Sequence, residues 1–134
     1  MAYKIKENEY DLILQNDINT KGNTQWFYFK VVNPPVRTAL KINIVNFRKS
    51  DSLFNYGMMP CIHSLQEERR NSKGWFRGGS NIKYYKNEHM IENSRRYYYT
   101  LTFTLNCHYD NDVVRVAMSY PYTFTDLNTY IDNL

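Results

Sequence analysis

In the stretch PCIHSLQEERR, His63 stands four residues before Glu67, with Glu68, Arg69 and Arg70 behind it. On a helix, that spacing puts an imidazole and a carboxylate on one face, which is half of a metal site. A catalytic zinc requires three protein ligands and an open position. His89 and His108 lie in separate polar contexts with no paired ligand spacing, so no matched set of ligands can be read. MMPCIHS reads as a strand and QEERR as its exit loop. Glu67 and Glu68 are adjacent, and on a strand they would point to opposite faces, which is wrong for an acid and a base acting on one bond.

Other chemistries fare no better. There is no G-x-S-x-G nucleophile turn. Cys61 and Cys107 sit in apolar or alternating segments and read as small buried thiols, whereas a reactive thiol needs an exposed, electropositive setting. KGWFRGGS carries glycines without the order of a phosphate loop, because Lys73 precedes Gly74, Gly78 and Gly79. A hairpin with tight turns accounts for these glycines. GWFRGGSNIKYYKN interleaves Trp75, Phe76, Tyr84 and Tyr85 with Arg77, Lys83 and Lys86, as a nucleic-acid stacking surface would. Aromatics on strands more often form core, and a net charge of +4 is far from strongly basic. The expectation is no catalytic or metal residue in this chain and no nucleic-acid partner.

The elements that must position these residues read as strands. Leu40, Ile42 and Ile44 alternate with Lys41 and Asn43, and Tyr99, Leu101, Phe103 and Leu105 alternate with threonines. QWFYFKVV is apolar on both faces, with Phe27, Phe29 and Val31 in one row and Trp26, Tyr28 and Val32 in the other. Such a strand is covered on both sides, by a second sheet or by a neighbouring domain. Further strands are expected over 10–15, 58–64, 75–77, 82–86 and 113–120, separated by turn signals such as NTKGN, VNPPV and RKSDS. The fold class expected is all-β, an antiparallel β-sandwich of about eight or nine strands. TDLNTYIDNL places Leu127, Ile131 and Leu134 at helical spacing, so a short C-terminal helix is expected, leading into a domain beyond residue 134. The division expected is an N-terminal extension over 1–9, the sandwich over 10–125 and the start of a helix over 126–134.

Composition bounds the setting. The chain has 134 residues, 43% of them hydrophobic, which suits one domain with a core. It has no run of apolar residues long enough for a membrane span and no signal-peptide core, and the two cysteines suit a reducing compartment, so a cytoplasmic location is expected. Between Gln66 and Arg96, eight basic residues (Arg69, Arg70, Lys73, Arg77, Lys83, Lys86, Arg95, Arg96) outnumber four acidic ones, equal to the excess of the whole chain. This stretch is the candidate surface for an acidic partner.

Several ordered blocks, YDLILQNDINTKGNTQWFYFKVVN, FNYGMMP, GWFRGGSNIKYYKN, YYYTLTFTL and YPYTFTDL, together resemble the N-terminal domain of the cytosolic carboxypeptidases. The resemblance runs from about Tyr10 to Leu134. It implies an antiparallel β-sandwich placed before a zinc carboxypeptidase domain in the same polypeptide. The parent enzymes it implies are deglutamylases, which trim glutamates from the C-terminal tails of tubulin and other acidic proteins. The family's H-x-x-E zinc motif belongs to the catalytic domain; here Ser64, Leu65 and Gln66 follow His63, so no catalytic residue carries over. The double proline in VNPPVRTALK departs from the family's pattern, and CIHSLQEERRN occupies a variable connection. Trp26, Tyr28, Tyr120, Pro121, Tyr122, Leu127 and Ile131 are the candidate interdomain surface. The alternative is an independent protein- or nucleic-acid-binding module.

Overall fold

The computed structural model describes residues 2–14 and 26–119. Nine strands lie within them: β1 (Ala2–Lys6), β2 (Glu9–Leu12), β3 (Tyr28–Val32), β4 (Thr38–Phe47), β5 (Cys61–Ser64), β6 (Phe76–Arg77), β7 (Ser80–Met90), β8 (Tyr97–Cys107) and β9 (Val113–Ala117). One α-helix, α1 (Leu65–Asn71), follows β5 directly, and a 3-10 turn spans Leu53–Tyr56. The strands form a five-stranded sheet in the order β1-β2-β4-β8-β7 and a four-stranded sheet in the order β3-β9-β5-β6.

The alternation in the sequence decides which side of each strand is buried. Leu40, Ile42 and Ile44 of β4 lie opposite Leu105, Phe103 and Leu101 of β8, and all six are 3% exposed or less. Phe27, Val114, Val116 and Ile62 close over them from the second sheet side of the core. The Phe27 ring lies 6.2–6.4 Å from those of Phe29, Phe47, Phe54 and Phe103. Both cysteines are free and buried, as their apolar settings led one to expect, and burial pushes each thiol pKa up.

The expected all-β class holds, with local differences. QEERR is helix, not exit loop, because Ser64 caps it by accepting a hydrogen bond from the Glu67 N–H at 3.2 Å. VNPPV, read as a turn between strands, carries the chain from one sheet to the other: β3 pairs with β9 and β4 with β2 and β8. The glycines after β6 likewise carry the chain from one sheet to the other, since β6 pairs with β5 and β7 with β8. Gly79 has φ +96°, and a Cβ at Gly78 would stand 3.1 Å from Ile62 Cδ1, so the crossing needs both residues small. Finally, Ala2–Lys6, expected as part of an extension, form an edge strand antiparallel to β2, which itself pairs in parallel with β4. The expected C-terminal helix lies outside the described residues.

Candidate functional site

His63 lies on the face of β5 that points away from the core, opposite Arg115 of β9. It is 6% exposed, because α1 turns back over it and the Trp75 ring lies 5.5 Å away, tilted by 38°. Its Nε2 meets the carboxylate of Glu68, not that of Glu67, and its Nδ1 is buried without a hydrogen-bond partner. The helix changes the geometry expected from a strand. Glu67 instead accepts from Asn71 Nδ2 at 3.0 Å, and the Tyr109 hydroxyl, with Asn71, Lys73 and His108 assisting, holds its pKa below the usual carboxylate range.

Asp112, 3% exposed, fixes the start of this helix. Its Oδ2 accepts from the Ser64 hydroxyl at 2.5 Å, and its Oδ1 accepts from the backbone N–H groups of Gln66 (3.0 Å) and Val113 (2.8 Å). A buried carboxylate with three donors is a satisfied anchor. It ties α1 to the β8–β9 connection and leaves little capacity for a ligand.

The eight basic residues divide between two places. Arg69 and Arg70 occupy the last turn of α1, and the Arg70 guanidinium lies 4.8 Å above the Tyr109 ring. Lys73 sits 4.1 Å over Phe76, and Arg77 donates to the carbonyls of Met59 (2.6 Å) and Met118 (3.1 Å). Lys83 and Lys86 belong to β7, at the edge of the other sheet, and Lys86 lies 5.4 Å over Tyr97. Arg95 and Arg96 lie in the β7–β8 turn region, where Arg96 donates to the Arg48 carbonyl at 2.9 Å. Adjacency in sequence therefore does not translate into one continuous stripe.

Of the aromatic candidates, Trp26 and Tyr28 are 54% and 47% exposed, and Tyr28 lies 6.1 Å from Trp75. Tyr120, Pro121, Tyr122, Leu127 and Ile131 lie outside the described residues. Beside Tyr28, between β3 on one side and β1–β2 on the other, runs a groove of about 650 Å³ lined mainly by apolar side chains.

One arrangement had no warning in the sequence analysis. On the outer face of the five-stranded sheet, Asn43 is 7% exposed and donates through Nδ2 to Glu9 Oε2 and Asp11 Oδ1, both at 2.9 Å. Thr102 donates to Asn43 Oδ1 at 2.8 Å and shares a hydrogen bond with the Tyr85 hydroxyl. Asn87 donates to Thr100 Oγ1 and to the Val45 carbonyl. The alternation of Lys41 and Asn43 with Leu40, Ile42 and Ile44 put Asn43 on the outer face but did not mark it as buried.

No family model matches the sequence. Curated proteins do. Cytosolic carboxypeptidase 1 of Homo sapiens is 43% identical over 138 residues, covering 98% of this chain, and that of Xenopus laevis is 42% identical over the same share. Cytosolic carboxypeptidase 2 of Homo sapiens is 39% identical over 97% of the chain. The chain is a relative of one segment of the cytosolic carboxypeptidases. It spans 11–14% of the length of these relatives. The cytosolic carboxypeptidase resemblance read from the ordered blocks thus extends over nearly all of the chain.

A zinc ion does not fit the residues described. No group of three or more His, Cys, Asp or Glu side chains converges among them. Around His63, the nearest donor is Glu68, and burial pushes up the pKa of the Cys61 thiol two residues back, which disfavours the thiolate that a metal needs. No helix among the described residues is long and apolar enough to cross a membrane.

Proposed function

We propose that this chain is a non-catalytic β-sandwich module of a cytosolic zinc carboxypeptidase. It supports folding of the catalytic domain of the same polypeptide and presents substrates or partners to it. In this reading the module begins with β1 and runs to about residue 125, residues 126–134 lead towards the catalytic domain, and zinc belongs to that domain. The parent works in the cytoplasm and removes glutamates from the C-terminal tails of proteins such as tubulin. The observation that carries the reading is the pairing of 98% coverage of this chain with 11% coverage of the relative, at 43% identity.

Within that role, two basic clusters, one around Arg69, Arg70, Lys73 and Arg77 and the other around Lys83, Lys86, Arg95 and Arg96, attract glutamate-rich partners from a distance. Such attraction fades beyond a Debye length of about 8 Å at physiological ionic strength. Exposed Trp26 and Tyr28 supply the interdomain surface.

The test is a paired assay of the full-length parent and the same protein lacking residues 1–134, on glutamate-tailed peptides and on intact tubulin, with bound zinc measured in both. The expected result is zinc retained in the shortened protein, with loss of solubility or of activity on tubulin. A shortened protein as soluble and as active as the parent overturns the proposal.

A further inference from the structure

Ser72 is the one serine or threonine in the sequence with arginines both two and three residues before it, Arg70 and Arg69. Protein kinases choose among hydroxyls largely by such charge patterns. The carboxylates of an acidic substrate cleft hold guanidinium groups in two-pronged hydrogen bonds. The structure puts this hydroxyl within reach. Residues 68–74 are all exposed, and no residue of α1 is buried. Ser72 closes the helix as its C-cap with φ +57°, in the left-handed conformation that glycine usually supplies. A Cβ added at Gly74 would meet nothing within 4 Å, so the chain just beyond the cap has room around it.

The two ends of α1 are held differently. Asp112 ties down the first turn through the Ser64 hydroxyl and the Gln66 N–H. The last turn rests on surface contacts: the Ser72 N–H donates to the Glu68 carbonyl at 2.9 Å, Asn71 donates to Glu67 at 3.0 Å, and Arg70 lies over Tyr109. Opening that turn uncovers no core side chain, so it belongs to the low-cost end of local unfolding. The stretch from Arg69 to Lys73 can then extend into a kinase cleft while the sandwich stays folded.

We infer that Ser72 is a phosphorylation site for an arginine-directed serine kinase, and that the phosphoryl group switches off the basic cluster around α1. The switch rests on the steering of glutamate-rich partners proposed above; the site does not. The Ser72 Oγ attacks the γ-phosphorus of a nucleoside triphosphate, its proton passes to the kinase's catalytic aspartate, and the nucleoside diphosphate leaves. Residues 66–77 hold four basic and two acidic side chains, a net +2. The phosphoryl group brings about −1.5 to −2, which cancels it. At a helix C-terminus it also meets the negative end of the dipole. Arg70 and Lys73 are therefore drawn from Tyr109 and Phe76 to its oxygens, because charge-assisted hydrogen bonds outweigh exposed cation–π contacts.

The test treats the native full-length parent with magnesium ATP and the catalytic subunit of cyclic-AMP-dependent protein kinase, an arginine-directed probe, and maps the product by mass spectrometry. Ser72 is expected to be phosphorylated, and Arg69→Ala with Arg70→Ala to slow that site at least about ten-fold. No phosphate at Ser72 overturns the site, and a rate untouched by the double alanine overturns its direction by arginine. KM for a glutamate-tailed peptide is then compared at low salt among the unmodified parent, the phosphorylated parent and the parent carrying Arg69→Glu and Arg70→Glu. Phosphorylation and charge reversal should each raise KM about three-fold or more, with the difference shrinking at high salt. Ser72→Ala, treated with the same kinase, should keep the unmodified KM. If charge reversal raises KM and phosphorylation does not, the steering reading stands and the switch fails. A rise on phosphorylation alone overturns the charge mechanism of the switch. If neither raises KM, or the peptide is no substrate, steering and switch both fail.

Discussion

The outer face of the five-stranded sheet and the β3 side of the four-stranded sheet make opposite uses of exposed strand surface. On the first, Asn43 is drawn under cover by Glu9, Asp11 and Thr102, and every donor it has is bonded. On the second, Trp26, Tyr28 and Val32 stand about half exposed beside an open groove. A polar face that satisfies itself has nothing to gain from a partner, whereas an apolar edge gains by burial at roughly 25 cal/mol per Å². The difference separates a face closed by its own hydrogen bonds from an apolar one left about half exposed among the described residues.

The contrast is drawn most sharply along β3 itself. Phe27→Ala, at the start of its inner row, should cost about 3–5 kcal/mol, because it empties a site shared by four other aromatic rings. Urea denaturation of the chain measures it, and a cost below about 1 kcal/mol would mean that the inner row is not the part that holds the sheets together. Next in size is Asn43→Ala, expected to cost about 1–3 kcal/mol by leaving the Glu9 and Asp11 carboxylates side by side without their shared donor. A neutral result there would dissolve the claim that this face is closed by its own hydrogen bonds.

Val32→Thr is the counterpart on the open edge. It should change the stability of the isolated chain by no more than about 0.5 kcal/mol, since a residue 58% exposed has little burial to lose. A large loss would show that the edge is already covered. The smallest effect concerns Glu67, whose pKa is lowered by the Tyr109 hydroxyl above all. The folded state binds its proton less readily than the unfolded state. The stabilisation is therefore complete above the ordinary glutamate value of about 4.3 and is lost as pH falls through the lower folded value. Denaturation of Glu67→Gln between pH 7 and pH 3 should show a shallower acid decline than the parent sequence.

Legibility in the sequence followed the range of the forces. The β4 and β8 strands were readable because Leu40, Ile42 and Ile44, and Leu101, Phe103 and Leu105, alternate within a few residues. Helix α1 was missed because none of its seven residues is buried, so it has no apolar period to read. Its signal was local: Ser64 and Glu67 have the spacing of a capping box, followed by good helix formers. Strand β1 was missed for the same reason, as all five of its residues are exposed. The sheet order and the parallel pairing of β2 with β4 depend on contacts between distant residues, and no local pattern encodes them. The candidate site divided in the same way. The two-sided apolar run was visible around Trp26 and Tyr28, but the division of the basic residues between α1 with β6 and β7 with its following turn was not.

The parallel joint between β2 and β4 also fixes a sequence of events. Asp11 reaches Asn43 across 32 positions, while β1 and β2 meet through a turn at Glu7–Asn8 in which Asn8 has φ +65°. The ribbon of β1 and β2 can close on its own, but it has no seat until β4 is in place, and β4 is held on its other side by its long ladder with β8. Pulse-labelling during refolding should find the amides of residues 9–12 protected after those of β4 and β8. Protection of β2 first would reverse that order. The β1–β2 ribbon, although it precedes β4 in the chain, is then locked into the sheet after it.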